Sequence, residues 1–240
     1  MKSLIWGPYA WYLLHWLSFT FQPEKINVYH SIFKQLEKIL PCPVCRNHYI
    51  KKIQNDFKID RIKDKNTFIY WVYNLHNNVN KTINKPQFPF SSVIQLYFPN
   101  KTKINYSPKP ILIFLLCCYH DYLKTGNKTG LEILPEFLKN ICQVFPFDSQ
   151  KKICQFVEQN PPEKNKLDIW IRSLFLLFKI DFHDPLIPTN IANKLFFNKY
   201  SQNKIKNEEK KNDENDKNNK NDEKLWTDLN IEELLKNIII

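Results

Sequence analysis

A chain of 240 residues with 43% hydrophobic and 15% aromatic side chains can bury one sizeable core or two small ones, which excludes a wholly disordered protein. The net charge of +11 would suit nucleic acid or an acidic surface, but the lysines are scattered and interleaved with asparagine. That charge reads as a solvated face plus a basic tail, and no function is assigned to it.

Leu4 to Phe21 is nearly uncharged, yet His15 and the Gly7–Pro8 pair interrupt it, and bulky Phe19 and Phe21 stand where a cleavage site would fall. A buried helix over Trp6 to Phe21 is therefore expected, rather than a signal peptide or a membrane span, with Pro8 in its opening turn. Glu24 to Leu40 carries apolar Ile26, Tyr29, Ile32, Phe33, Leu36 and Ile39/Leu40 at helical spacing and ends at Pro41. Further helices are expected over Cys42 to about Phe57 and Asn66 to about Ile83. Residues 84–110 are rich in Pro, Ser and Asn, which places a boundary there. Beyond it, Ile111 to Leu123, Leu131 to Phe145, Gln150 to Gln159 and Lys166 to Ile180 read as helices of a second all-α unit. Residues 201–224 are almost wholly Asn, Lys, Asp and Glu, too polar to offset the entropy of ordering, so disorder is expected. Leu225 to Ile240 offers a short amphipathic helix.

The residues able to do chemistry lie in the first 90 positions. PCPVCRNHY at 41–49 sets Cys42 and Cys45 two residues apart at the head of a helix. Such a dithiol closes a reversible bridge, and the helix N-terminus stabilises its thiolate. Trp11 and His15 are four apart and share a face of the first helix. His76, Val79 and Asn80 share a face of the fourth, with Asn77 beside them and Lys85 at the exit. Together they offer the aromatic wall, hydrogen-bonding set and cation that a dinucleotide held between helices requires.

With those motifs in view, the chain resembles the FAD-linked sulfhydryl oxidases of the Erv/ALR type. WGPYAWYLLH at 6–15 is similar to that family's flavin-contacting motif, PCPVCRNHY to its redox-active disulfide, and HNNVNKTINKPQF at 76–88 to its adenine-binding HNxVNxxLxKPxF signature. The resemblance covers roughly residues 4–100. It implies an all-α four-helix bundle with a short fifth helix, non-covalent FAD inside it, and usually a two-fold dimer. The expected layout is an oxidase domain at 1–100, a helical C-terminal domain of unknown role and partner at 105–200, a polar linker at 201–224 and the terminal helix at 225–240. Long viral members carry such an extra domain, and this chain looks most like those. The resemblance implies that Gly7, Trp11 and His15 on the first helix, His48 and Tyr49 after the disulfide, and His76, Asn77, Val79, Asn80 and Lys85 hold FAD. It implies no metal. The family's structural disulfide is absent, because Tyr73 and Pro89 stand where most members have cysteines. Closure of the fifth helix then falls to packing by Phe88, Phe90, Tyr97 and Phe98, or to the C-terminal unit.

In the implied reaction a substrate thiolate attacks Cys42, Cys45 passes electrons to the flavin, and O2 accepts them to give H2O2. Protein thiols are the expected substrates. Work in viral particle assembly, in the host cytoplasm or virion, suits a chain with no visible targeting segment. Cys142 and Cys154 flank a predicted turn and are either bridged or buried thiols, while Cys117 and Cys118 in the run ILIFLLCC are expected in the core. Three other readings compete: a zinc site on Cys42, Cys45, His48 and His76; a thioredoxin or glutaredoxin module, which needs a strand before the motif where the helical periodicity before Cys42 argues against one; and a basic nucleic-acid or scaffold protein with an incidental CxxC.

Overall fold

The computed structural model describes residues 3–97, 107–144, 155–160, 167–181 and 187. Every regular element among them is helical. In chain order these are α1 (Ser3–Phe19), a 3-10 turn (Pro23–Lys25), α2 (Ile26–Ile39), α3 (Pro43–Asn55), a second turn (Ile59–Arg61), α4 (Lys65–Thr82), α5 (Phe90–Tyr97), α6 (Pro108–Thr125), α7 (Lys128–Val144), a helical stretch at 155–159 and α8 (Leu167–Leu177). The chain divides into two compact units, 1–171 and 172–240, with the division inside α8. The polar tail, the terminal helix, Phe98 and Cys154 lie outside the described residues.

Local chemistry sets most boundaries. α1 starts at Ser3, so Pro8 sits one turn deeper than the sequence implied, where its missing N–H removes one intrahelical bond near an exposed end. The first turn of the expected Glu24 helix is a 3-10 turn led by Pro23. α2 buries the predicted stripe of Tyr29, Ile32, Phe33, Leu36 and Ile39. Asp64 caps α4 in a reciprocal box with Thr67, accepting from its N–H at 2.8 Å while the Thr67 hydroxyl accepts from Asp64 N–H at 3.0 Å. At the other end of α4, Asn84 takes the left-handed conformation (φ 54°), and Lys85 N–H donates back to Asn80 O at 2.8 Å. That closure carries Lys85 back toward the helix end.

Helices α1, α2 and α4 meet through Phe21, Tyr29, Phe33, Phe68 and Trp71, whose rings pack mostly edge to face at 5.0–5.6 Å. α6 packs on α1, and α7 on α2, within the same compact unit. From Ile111 to Tyr122 α6 is buried on every face, as an apolar run without a polar stripe demands, and both Cys117 and Cys118 are in that core. Burial pushes the Cys117 thiol up to about 12, and it raises Cys118 as well. Cys142 is buried on α7. No helix among the described residues is long and apolar enough to cross a membrane.

Candidate active site

Cys42 and Cys45 are joined as a disulfide, with their Cα atoms 5.1 Å apart. Cys42 is the N-cap of α3 in extended conformation and Pro43 is its first residue, so the helix starts inside the motif. Cys45 N–H donates to Cys42 Sγ at 3.2 Å, which places that sulfur among the unpaired amides at the positive end of the helix.

Behind the disulfide lies a cavity of about 490 Å3, within the usual range for a small-molecule site. Cys45 lines it and Cys42 does not. Cys45 is thus a wall residue of the cavity, while Cys42 stands outside the lining, beside exposed Pro43 and Val44, the latter 61% exposed.

From α1, Gly7, Trp11 and His15 line the cavity, and from α4 and its exit His76, Val79, Asn80 and Lys85 do so. The ring of His76 stacks on Trp11 with centroids 3.9 Å apart and planes 9° from parallel. His15 Nε2 and His76 Nδ1 are 3.0 Å apart in a hydrogen bond. That bond needs one proton between two rings, and the surroundings keep both rings neutral. Burial pulls His15 down to about 4; burial, then the charges of His15 and Lys85, pull His76 down to about 3. His15 Nδ1 is buried with no partner, as is Trp6 Nε1 in another lining residue.

Two residues follow the disulfide on the same face of α3. Tyr49 is buried and its hydroxyl donates to Phe33 O at 2.8 Å, while His48 is exposed at the cavity rim. Asn77 is the one cofactor candidate outside the lining. Its amide donates to Phe88 O at 3.0 Å and accepts from Phe88 N–H at 3.2 Å, pinning the strap that leads into α5. Sequence reading missed Trp6 and Lys52, which also line the cavity. Lys52 donates to Asn78 and Thr82 on α4. It stands seven residues after Cys45, on the same helical stripe as Cys45 and His48/Tyr49, and that spacing was the available signal.

Among the described residues no three His, Cys, Asp or Glu groups converge as a metal site. Three of the four residues of the zinc reading are otherwise engaged: Cys42 and Cys45 with each other, and His76 with Trp11 and His15.

Residues 8–99 match the model of the Erv1 / Alr family. The FAD-linked sulfhydryl oxidase of African swine fever virus (isolate Pig/Kenya/KEN-50/1950) is 33% identical over 100 residues, covering 39% of this chain and 81% of that protein. The FAD-linked sulfhydryl oxidase of isolate Warthog/Namibia/Wart80/1980 is 32% identical over the same shares. No solved structure gives a significant match.

Proposed function

Because the chain belongs to the Erv1 / Alr family, we propose that it is an FAD-linked thiol oxidase in which Cys42 meets the substrate and Cys45 meets the cofactor. The observation that carries this reading is that Cys45, the Trp11–His76 stack and the His15–His76 bond border one cavity.

The residues present fit FAD. The lining offers flat aromatic rings for an isoalloxazine or adenine, two buried ring nitrogens without partners in His15 and Trp6, and the cations of Lys52 and Lys85 for a pyrophosphate. Gly7, Trp11, His15, Tyr49, His76, Val79, Asn80 and Lys85 are the residues that would hold it, with His48 at the rim. When bound, FAD accepts the two electrons of a dithiol and passes them to O2, yielding H2O2.

The chain's own part is thiol exchange. A substrate thiolate attacks Cys42 Sγ, the Cys42–Cys45 bond breaks and Cys45 leaves as a thiolate. A second substrate thiolate attacks the substrate sulfur of the mixed disulfide, releasing the product disulfide and the Cys42 thiolate. Cys45 then holds its charge at the cavity wall while neutral His15 and His76 keep the pocket dry and uncharged.

The viral relatives, named FAD-linked sulfhydryl oxidases, support thiols as substrates; protein thiols, O2 as acceptor, a two-fold dimer and work on particle proteins in the host cytoplasm or virion complete the proposal. The family match over residues 8–99 is consistent with residues 1–100 carrying the chemistry, with 105–200 a helical region of unknown role. The purified protein should be yellow and should consume oxygen when given a dithiol. Cys45→Ser should abolish that uptake and keep the flavin. Colourless protein that refuses added FAD, or full turnover by Cys45→Ser, would overturn the reading.

A further inference from the structure

The last carbonyls of α2 stand directly before the disulfide, and a helix C-terminus leaves such groups without intrahelical partners. Here three in succession are met by side chains from elsewhere. Asn127 Nδ2 donates to Lys38 O at 3.1 Å, Tyr122 OH donates to Ile39 O at 2.9 Å, and Arg46 Nη1 donates to Leu40 O at 2.5 Å. Tyr122 is in the last turn of α6, and Asn127 is in the link to α7. Arg46 follows Cys45, and its guanidinium lies 3.7 Å from the carboxylate of Asp121, a fully buried residue of α6. The start of α7 presses on the same corner: a methyl group added at Gly130 would come within 2.9 Å of Lys38 O. Leu40 O also accepts from Cys42 N–H at 2.8 Å. A continuous path of contacts thus runs from Asp121 through Arg46 and Leu40 to the backbone of Cys42.

We propose that Asp121, Tyr122 and Asn127 are a clamp from the α6–α7 segment that positions the Cys42–Cys45 pair, acting through Arg46 and the last carbonyls of α2. The proposal rests on the reading of Cys42–Cys45 as the working disulfide. None of the three lines the cavity, so these are positioning residues.

The clamp favours the closed bridge in two ways. It fixes the corner from which Cys42 departs, and Asp121 offsets the charge of Arg46, the residue after Cys45, a cation that would otherwise favour thiolate in the pair. Loss of Asp121 therefore moves the pair toward the dithiol on both counts.

The test is the thiol–disulfide equilibrium of the holoenzyme. The protein is equilibrated without oxygen in graded mixtures of reduced and oxidised dithiothreitol, and the state of Cys42 and Cys45 is read by alkylation and mass spectrometry. Asp121→Asn should move the equilibrium constant about tenfold toward the dithiol, equivalent to about 30 mV. Asn127→Ala should move it the same way by a smaller factor. In an Arg46→Met background Asp121→Asn should change nothing, because Asp121 works through Arg46.

A role confined to folding would lower the melting temperature and leave this equilibrium alone. Wild-type equilibrium in both single variants, or an undiminished Asp121→Asn effect with Met at 46, overturns the clamp. If Asp121→Asn does not fold, Asn127→Ala at its partly exposed link decides alone, and a wild-type equilibrium there overturns the proposal. The readout needs no turnover. Normal exchange without oxidase activity would therefore sink the oxidase reading and spare the clamp, whereas a pair that never exchanges sinks both.

Discussion

The enclosure of His15 makes a prediction about acid stability that does not depend on turnover. His15 titrates near 4 in the folded protein, against about 6.5 in an unfolded chain. As pH falls, the unfolded chain therefore takes the proton first. The stability that neutral His15 supplies is fully present above pH 6.5 and is lost as pH falls toward 4, levelling off below that. Between pH 7 and pH 4.5 this amounts to about 2.5 kcal/mol. His76 shifts in the same direction, so the full loss is larger. The assay is urea unfolding followed by tryptophan fluorescence, for the wild type and His15→Gln with matched flavin content. Gln keeps a polar end near Nδ1 of His76 but does not titrate. Carboxylates elsewhere contribute equally to both proteins and cancel. The wild-type midpoint should fall by about 1 M more than that of His15→Gln between the two pH values, for an m-value of roughly 2–3 kcal/mol per M. Equal falls in the two proteins would refute the argument that burial holds His15 neutral.

Lys52→Met should weaken FAD binding about tenfold, the scale of one charge-assisted hydrogen bond, and should flatten its salt dependence in a titration of apoprotein. Asn77→Ala should speed hydrogen exchange across 86–97 and weaken FAD binding through the loosened strap. Weaker FAD binding with unchanged exchange would instead put Asn77 on the cofactor. Gly130→Ala places a methyl group 2.6 Å from both Tyr122 Cε1 and Asn127 Nδ2, so thermal unfolding should show a loss of about 1–3 kcal/mol. An unchanged melting temperature would mean that the α6–α7 link is loose.

Much of the site was legible because its parts are local. The CxxC, the Trp11–His15 spacing and the His76/Val79/Asn80 face each need only one helix and its period, and all bring their residues to one cavity, Cys42 excepted. Asn77 shows where a motif stops being informative. Its neighbour His76 faces the cavity, and one residue on, the helix has turned about 100°, toward the strap that Asn77 binds. Trp6 opens the WGPYAWYLLH motif but was not singled out from the apolar residues around it. The clamp was invisible for a different reason: Tyr122 and Asn127 reach carbonyls 83 and 89 residues earlier in the chain, and no local period encodes such a contact. Composition did flag α6, since a run as apolar as ILIFLLCC has to be enclosed on all sides. It could not say that α1 would be one of the enclosing helices.

The two departures from the family pattern bear on one physical problem, how to hold a pocket shut without the cysteine pair that the resemblance implies elsewhere. At the α5 end, Tyr73 donates to Phe88 O at 3.2 Å, Asn77 grips both backbone groups of Phe88, and Phe90 stacks on Tyr70 with centroids 4.7 Å apart. At the disulfide end, α6 and the link to α7 take hold of the last carbonyls of α2. Both closures use hydrogen bonds and packed rings, and neither contains a sulfur–sulfur bond. On the proposed mechanism, an enzyme that meets thiols at every turnover exposes its own disulfides to exchange, and a structural bridge near the pocket would compete with Cys42 for attack. Non-covalent closure removes that competition, so the reducible bond at the pocket is the one that the chemistry requires. The cost is more chain: ordering α6 and α7 loses conformational entropy, and the continuous burial of Ile111 to Tyr122 is what offsets it.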